Sequence, residues 1–146
     1  MNAVMQKIDF HYNVANRLAY ACRVARTVYK RGLTLAVWTS DERRLRELDS
    51  LLWHFDDLAF LPHVRAESPL AAETPIRLSS NLAALQGDVL LLLDDFLPPD
   101  WKTDFERFDR IIDVVSTEPA ELEQSRSRYR AYKAAGVTLA AYDRRR

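Results

Sequence analysis

Apolar and polar positions alternate along this chain in two rhythms, one of helical period and one of continuous short runs. In residues 13–30, Val14, Leu18, Ala21, Ala25 and Val28 recur at helical spacing, with Arg17, Arg23, Arg26 and Lys30 off that stripe, which predicts an amphipathic helix. Asn13 stands where it would cap the start and Gly32 where it would end the helix. Residues 33–38, LTLAVW, form an apolar run of strand length. Residues 39–41 then offer cap side chains to a second helix over 41–55, with Leu45, Leu48, Leu52 and Phe55 as its buried face. Residues 7–10 and 76–80 read as short strands. Residues 88–93, DVLLLL, are the strongest strand of the chain, and an unbroken apolar run belongs in the middle of a sheet covered by helices. Residues 110–115 supply another buried strand through Ile111, Ile112, Val114 and Val115. After a polar turn at Ser116 and Thr117 comes a helix ending at Gly136, and residues 137–144 alternate as a last strand. Residues 56–75, broken by Pro62, Pro69 and Pro75, and residues 96–104, broken by Pro98 and Pro99, read as connectors.

Helix, strand, helix in this order predicts an α/β fold. A chain of 146 residues suits one domain, over 1–146, with its own core. Lys and Arg together number 21, as do Asp and Glu, so no global charge draws the protein to nucleic acid or membranes and local clusters carry any electrostatic binding. The single cysteine, Cys22, excludes an intramolecular disulfide and lies beside the apolar stripe of the first helix, a core position. His54, Asp56, Asp57 and His63 match no metal-ligand spacing and His11 is isolated, so neither a metal nor a cofactor is expected. The start of the chain, MNAVMQKIDFHY, lacks the pattern of a secretion signal, and no apolar run approaches the roughly 20 residues of a membrane span. A cytoplasmic protein is expected.

The three glycines, Gly32, Gly87 and Gly136, are too widely spaced for a phosphate-cradling loop. Asp94 and Asp95 follow a run of leucines and imitate the magnesium-holding strand of P-loop NTPases, but GxxxxGK[ST] is missing. The preferred reading is acids where a strand meets water, and no intrinsic catalytic activity is expected. A degenerate nucleotide-binding enzyme using Asp94 and Asp95 stands as the alternative.

Two surfaces remain. The helix before Gly136 carries Glu118, Glu121 and Glu123 in its first turns and Arg126, Arg128, Arg130 and Lys133 in its last, with Tyr129 and Tyr132 among them. This polarity suits the helix macrodipole, but the cations outnumber what the dipole needs. Helical spacing puts Leu122, Arg126, Tyr129 and Lys133 along one face and Arg128 beside Tyr132 on another. Such a face grips an acidic peptide or a terminal carboxylate. Nucleic-acid phosphate, bound there or at the basic tail of Arg144, Arg145 and Arg146, is the competing anion. The second surface is Trp53, Phe60, Leu61 and Pro62, where a tryptophan off the leucine stripe and a proline-bearing loop are either ordinary core or the anchors of a partner interface.

Leu52-Trp53, then Phe60-x-Pro62-His63, a strand ending IDVV, and above all RYRAYKAAG over residues 128–136 resemble the chi subunit of bacterial DNA polymerase III, across nearly the whole chain. The resemblance implies a mostly parallel α/β sheet with helices on both faces, like a nucleotide-binding domain without its nucleotide site. It implies a non-catalytic member of the clamp-loader assembly, with two partners. One is the acidic C-terminal tail of single-stranded DNA-binding protein; the other is the psi subunit or a helicase-like repair protein. DNA would be reached only indirectly. Matching positions would place the tail at Val115, Arg126, Tyr129 and Arg130, and the psi-facing surface at Trp53 and Phe60.

Overall fold

The computed structural model describes residues 7–55 and 60–145. Asp56 and Asp57 of the metal reading, the segment before Lys7 and the last arginine of the tail lie outside the described residues. Among those described, strands β1 (Lys7–Val14), β2 (Leu35–Trp38), β3 (His63–Arg65), β4 (Ile76–Ser79), β5 (Val89–Leu92), β6 (Arg110–Ser116) and β7 (Thr138–Asp143) form one sheet. Its order is β3-β4-β2-β5-β6-β1-β7, and each of its pairings is parallel. Parallel neighbours need crossovers, which helices α1 (Arg17–Lys30), α2 (Glu42–His54), α3 (Trp101–Asp104) and α4 (Pro119–Ala134) help to supply. The α/β expectation is met, and β5, Val89 and three leucines, occupies the centre of the sheet with every position buried.

Because side chains alternate across a strand, the sheet feeds two cores. On one face α1 and α2 set Ala25, Val28, Leu45, Leu48 and Leu52 against Leu35, Val37, Leu91, Ile112 and Val114. On the other, Trp101, Phe105 and Tyr132 close over Ile8, Phe10, Leu90, Leu92, Ile111 and Val115. Asp41 caps α2, accepting from the amides of Arg43 and Arg44 at 3.0 and 3.2 Å, and Glu118 caps α4 ahead of Pro119.

Three local readings change. The first strand runs on to Val14, because residues beyond Phe10 pair with β6 and β7; α1 is therefore capped by Asn16, whose side chain accepts from Ala19 at 3.0 Å. Asn13 instead adopts a left-handed φ of 61° at the irregularity ending β1. The connector over 56–75 contains β3, an edge strand of three residues, too short to show a period. Pro98 and Pro99 do not keep the next segment irregular, since α3 begins just after them at Trp101, whose indole enters the core.

Seven strands at about 4.8 Å spacing span about 30 Å, whereas two helices about 10 Å apart cover some two-thirds of that width. On the face carrying α1 and α2, the β1–β7 end of the sheet is consequently left without a helix over it among the described residues. An open cleft lies there. Among the described residues, no helix is long and apolar enough to cross a membrane.

Candidate functional site

In open parallel sheets, ligands enter at the carboxyl ends of two strands whose connections leave to opposite sides. Here those strands are β2, which leads toward β3, and β5, which leads toward β6. The crevice is filled from within. Asp94 Oδ1 accepts from Thr39 Oγ1 at 3.0 Å and from the Ser40 amide and hydroxyl at 2.6 and 2.7 Å, and Oδ2 accepts from the Phe96 amide at 3.1 Å. Asp95 pairs with Arg17 at 2.9 Å and with Arg44 at 3.5 Å. The main-chain carbonyls of Leu93, Asp94 and Asp95 accept from Arg44 at 2.5 Å, Arg17 at 2.9 Å and Arg128 at 2.7 Å. Burial alone would raise the Asp95 pKa; Arg44 and Arg17 outweigh it and hold the carboxyl below its usual range. The acids that imitate magnesium ligands are thus spent on protein donors, which weighs against the nucleotide-hydrolysing alternative.

The third of these arginines is counted in the sequence among the cations of the helix, beside Tyr132 on a face of its own, and the structure turns that face inward. Arg128 is buried and makes a two-pronged contact with Asp113 in β6, Nε to Oδ2 at 3.0 Å and Nη2 to Oδ1 at 2.9 Å. The Tyr132 hydroxyl donates to the same carboxylate at 2.6 Å. Burial pulls the Arg128 pKa down, but Asp113 overrides it and leaves the guanidinium raised; burial and the Asp113 charge push the Tyr132 phenol well up. The buried side of α4, Ser125, Arg128 and Tyr132, is therefore polar, which a hydrophobic stripe does not reveal. The available signal was Asp113 itself, an acid inside an apolar strand that needs a partner.

With Arg128 and Tyr132 turned inward, Arg126, Tyr129, Arg130 and Lys133 fall together on the outer face of α4 at spacings of three and four residues. Tyr129 is partly exposed and rests edge-to-face on Phe10 of β1, with ring centroids 5.3 Å apart. Arg126 makes an exposed contact with Glu123 at 3.2 Å, a weak surface pair that leaves it free to exchange partners. Among the described residues, Arg130 is held only by the Ser127 hydroxyl at 3.3 Å. Val115 is 1% exposed and belongs to the core that also holds Phe10.

The second patch is also divided. Trp53 and Phe60 are 54% and 59% exposed, and their rings lie 5.3 Å apart. Pro62 is half-buried, and Leu61, at 1% exposed, points into the core. His63 supports Trp53 edge-on at 4.8 Å, while its own Nδ1 lies 2.7 Å from the Leu61 carbonyl and its Nε2 lies 3.2 Å from Asp49. Among the described residues, no group of three or more His, Cys, Asp or Glu is arranged to hold a metal ion. Cys22 is buried, and burial pushes its thiol up to about 11, in keeping with packing.

His11 was set aside as isolated in the sequence, yet it lies on the floor of the uncovered cleft. Its Nδ1 is 2.5 Å from the Tyr20 hydroxyl of α1, and Tyr142 of β7 meets its ring edge-on at 5.1 Å. Burial first, then the Arg144 charge and the smaller repulsion of Arg110, lower its pKa from 6.5 to about 4, against the opposing pull of Asp9 and Asp113. Between these values the unfolded chain binds the proton that the folded one refuses, so stability falls as pH drops from about 6.5 toward 4. After allowance for solvent screening this contributes about 2 kcal/mol. Urea denaturation at pH 7 and pH 4.5 checks it: His11→Gln is expected to flatten that part of the dependence.

The molecule is thus a parallel α/β sheet of the nucleotide-binding type whose ligand crevice is plugged by its own arginines and whose exposed features are side-chain patches on two helices. Residues 5–140 match the family model of the DNA polymerase III chi subunit, HolC. Similar proteins are DNA polymerase III subunit chi of Pseudomonas aeruginosa, 31% identical over 144 residues covering 92% of this chain and 94% of the relative, and that of Haemophilus influenzae, 30% identical over 124 residues covering 82% and 81%. The Escherichia coli subunit chi is 26% identical over 120 residues, 81% of this chain and 79% of the relative. The chain belongs to the DNA polymerase III chi subunit family, the accessory subunits of a replication complex.

Proposed function

We propose that this chain is a non-catalytic adaptor of DNA polymerase III. It binds the acidic C-terminal tail of single-stranded DNA-binding protein on the outer face of α4, and a second protein, psi or a helicase-like repair protein, at Trp53 and Phe60. It thereby links the replicase to coated template. The observation that carries the reading is the inward turn of Arg128 and Tyr132, which leaves Arg126, Tyr129, Arg130 and Lys133 as one cationic, aromatic surface. Arg126 pairs with the chain-end carboxylate by charge-assisted hydrogen bonds, Arg130 and Lys133 meet the upstream acids, and Tyr129 flanks the terminal side chain, with Val115 behind it.

The geometry also suits a linker. Trp53 ends α2 on one face of the sheet, whereas α4 covers the other, so the sheet separates the two surfaces and both partners can be held at once. A pull-down from native lysate with Trp53→Ala and Arg126→Ala in parallel tests the reading. Each variant is expected to lose a different partner and keep the other; loss of the same partner by both, or of none by either, contradicts it.

A further inference from the structure

Beside Phe10, on which Tyr129 rests, the sheet has one more strand. The regular register of β1 with β7 sets Leu139 next to Ile8, Ala141 next to Phe10 and Asp143 next to Tyr12. Ile8 and Phe10 belong to the core beneath α4, so these three side chains of β7 stand on the α4 side of the sheet. α4 does not close over them: Ala141 and Asp143 are exposed and Leu139 is half-buried. Above them rises the flank of α4. Leu122, Arg126, Tyr129 and Lys133 follow one another at spacings of four, three and four residues and form one row. Tyr129 fixes the direction of that row, because its ring meets Phe10, the neighbour of Ala141. α4 runs back from the end of β6 to the start of β7, so Leu122 stands toward Asp143 and Lys133 toward Leu139.

These two rows make a ledge one strand wide. The α4 row is about 16 Å long at about 1.5 Å per residue, and the β7 row about 13 Å at about 3.3 Å per residue. Its floor is apolar at Leu139 and Ala141, and its wall carries the exposed cations Arg126 and Lys133. The acid at one end of the floor, Asp143, is held by Arg145 at 2.6 Å and by Asn13 at 3.0 Å. A helix, about 10 Å across, is too wide for such a strip. A phosphate backbone would satisfy the cations but leave the floor without an apolar partner. An extended peptide meets both demands, because its successive side chains point opposite ways.

We propose that the acidic tail, its end held at Arg126, continues along this ledge as an extended strand over Ala141 and Leu139 to Lys133; the inference rests on the tail reading above. Arg126 and Lys133 are about 10 Å apart along the helix, a distance that about three extended residues span. Alternate residues of that stretch set an apolar side chain on the β7 floor and an acid against the α4 cations. β7 thereby selects the residues upstream of the terminus, whereas α4 holds the terminus itself.

The test is calorimetric titration of the full chain with an acidic six-residue peptide that ends in a free carboxylate and carries one apolar residue upstream of that end. Ala141→Glu, which puts bulk and charge on the floor, is expected to weaken binding at least about tenfold. Ala140→Glu adds the same charge one residue away, on the opposite face of β7 with Tyr142, and is expected to change binding less than about twofold at physiological salt. Replacing the apolar residue of the peptide with serine is expected to weaken binding and to make Leu139→Ala silent, the coupling of two groups in contact. Thermal melts confirm that each variant is folded. Equal losses from the two glutamates, or no loss from Ala141→Glu while Arg126→Ala still weakens the peptide, overturns the ledge and leaves the tail reading standing. Failure of the peptide to bind the unaltered chain overturns both.

Discussion

Replacing Arg128 with alanine is expected to destabilise the domain by about 3–5 kcal/mol, the cost of leaving a buried carboxylate without its cation. Asp113 lies in the middle of β6 with no exposure, and Arg128 supplies two of its hydrogen bonds; the third, from Tyr132, cannot neutralise a charge. The loss is compounded because the same guanidinium holds the Asp95 carbonyl where β5 ends. Denaturant unfolding measures the effect through a fall in the midpoint. A combined Asp113→Leu and Arg128→Met change, which removes both charges, is expected to recover most of it. Arg126→Ala, two residues away but on the solvent side, is expected to leave the midpoint within about 0.5 kcal/mol of the starting protein. A helix that merely lies on the surface would show the opposite equality, with Arg128 and Arg126 equally dispensable.

Trp53→Ala is expected to weaken the second partner by at least about 2 kcal/mol, or roughly thirtyfold, without changing the melting temperature appreciably. The ring is more than half exposed, so little of its area supports the fold, yet with Phe60 it forms an exposed apolar pair. Leu61 serves as the contrasting control. Because it is buried, Leu61→Ala is expected to cost about 2–5 kcal/mol of stability and to affect partner binding only through that loss. Thermal melts read beside capture of the purified partner separate these outcomes.

The architecture was legible because its strongest signals are local. The leucine run of β5, the leucine stripe of α2 and the apolar positions of β6 each state their burial in the residues themselves, and Asp41 and Gly136 mark helix ends, Gly136 with the left-handed φ of 72° that glycine adopts freely. What was hidden depends on partners distant in the chain. Nothing within α4 distinguishes Arg128 from Arg126 and Arg130; only Asp113, fifteen positions earlier, decides which one goes inside. The same holds for Asp94, whose ligands come from Thr39 and Ser40, and for His11, whose neighbours are α1 and β7. Of the tail site, spacing alone set Arg126 beside Tyr129; the support of Tyr129 by Phe10 and the burial of Val115 required the sheet. Of the aromatic patch, sequence placed Leu61 with Phe60, but a connector carries no period to tell an inward residue from its outward neighbour.

The most direct measurement of the central claim is a titration of the purified chain with an acidic peptide ending in a free carboxylate and with the same peptide amidated at its C-terminus. The account predicts a dissociation constant in the micromolar range, about −8 kcal/mol, weakened about tenfold both by amidation and by Arg126→Ala, with little further loss when the two are combined because they remove the same contact. Equal affinity for the two peptides, or binding indifferent to Arg126, would contradict it.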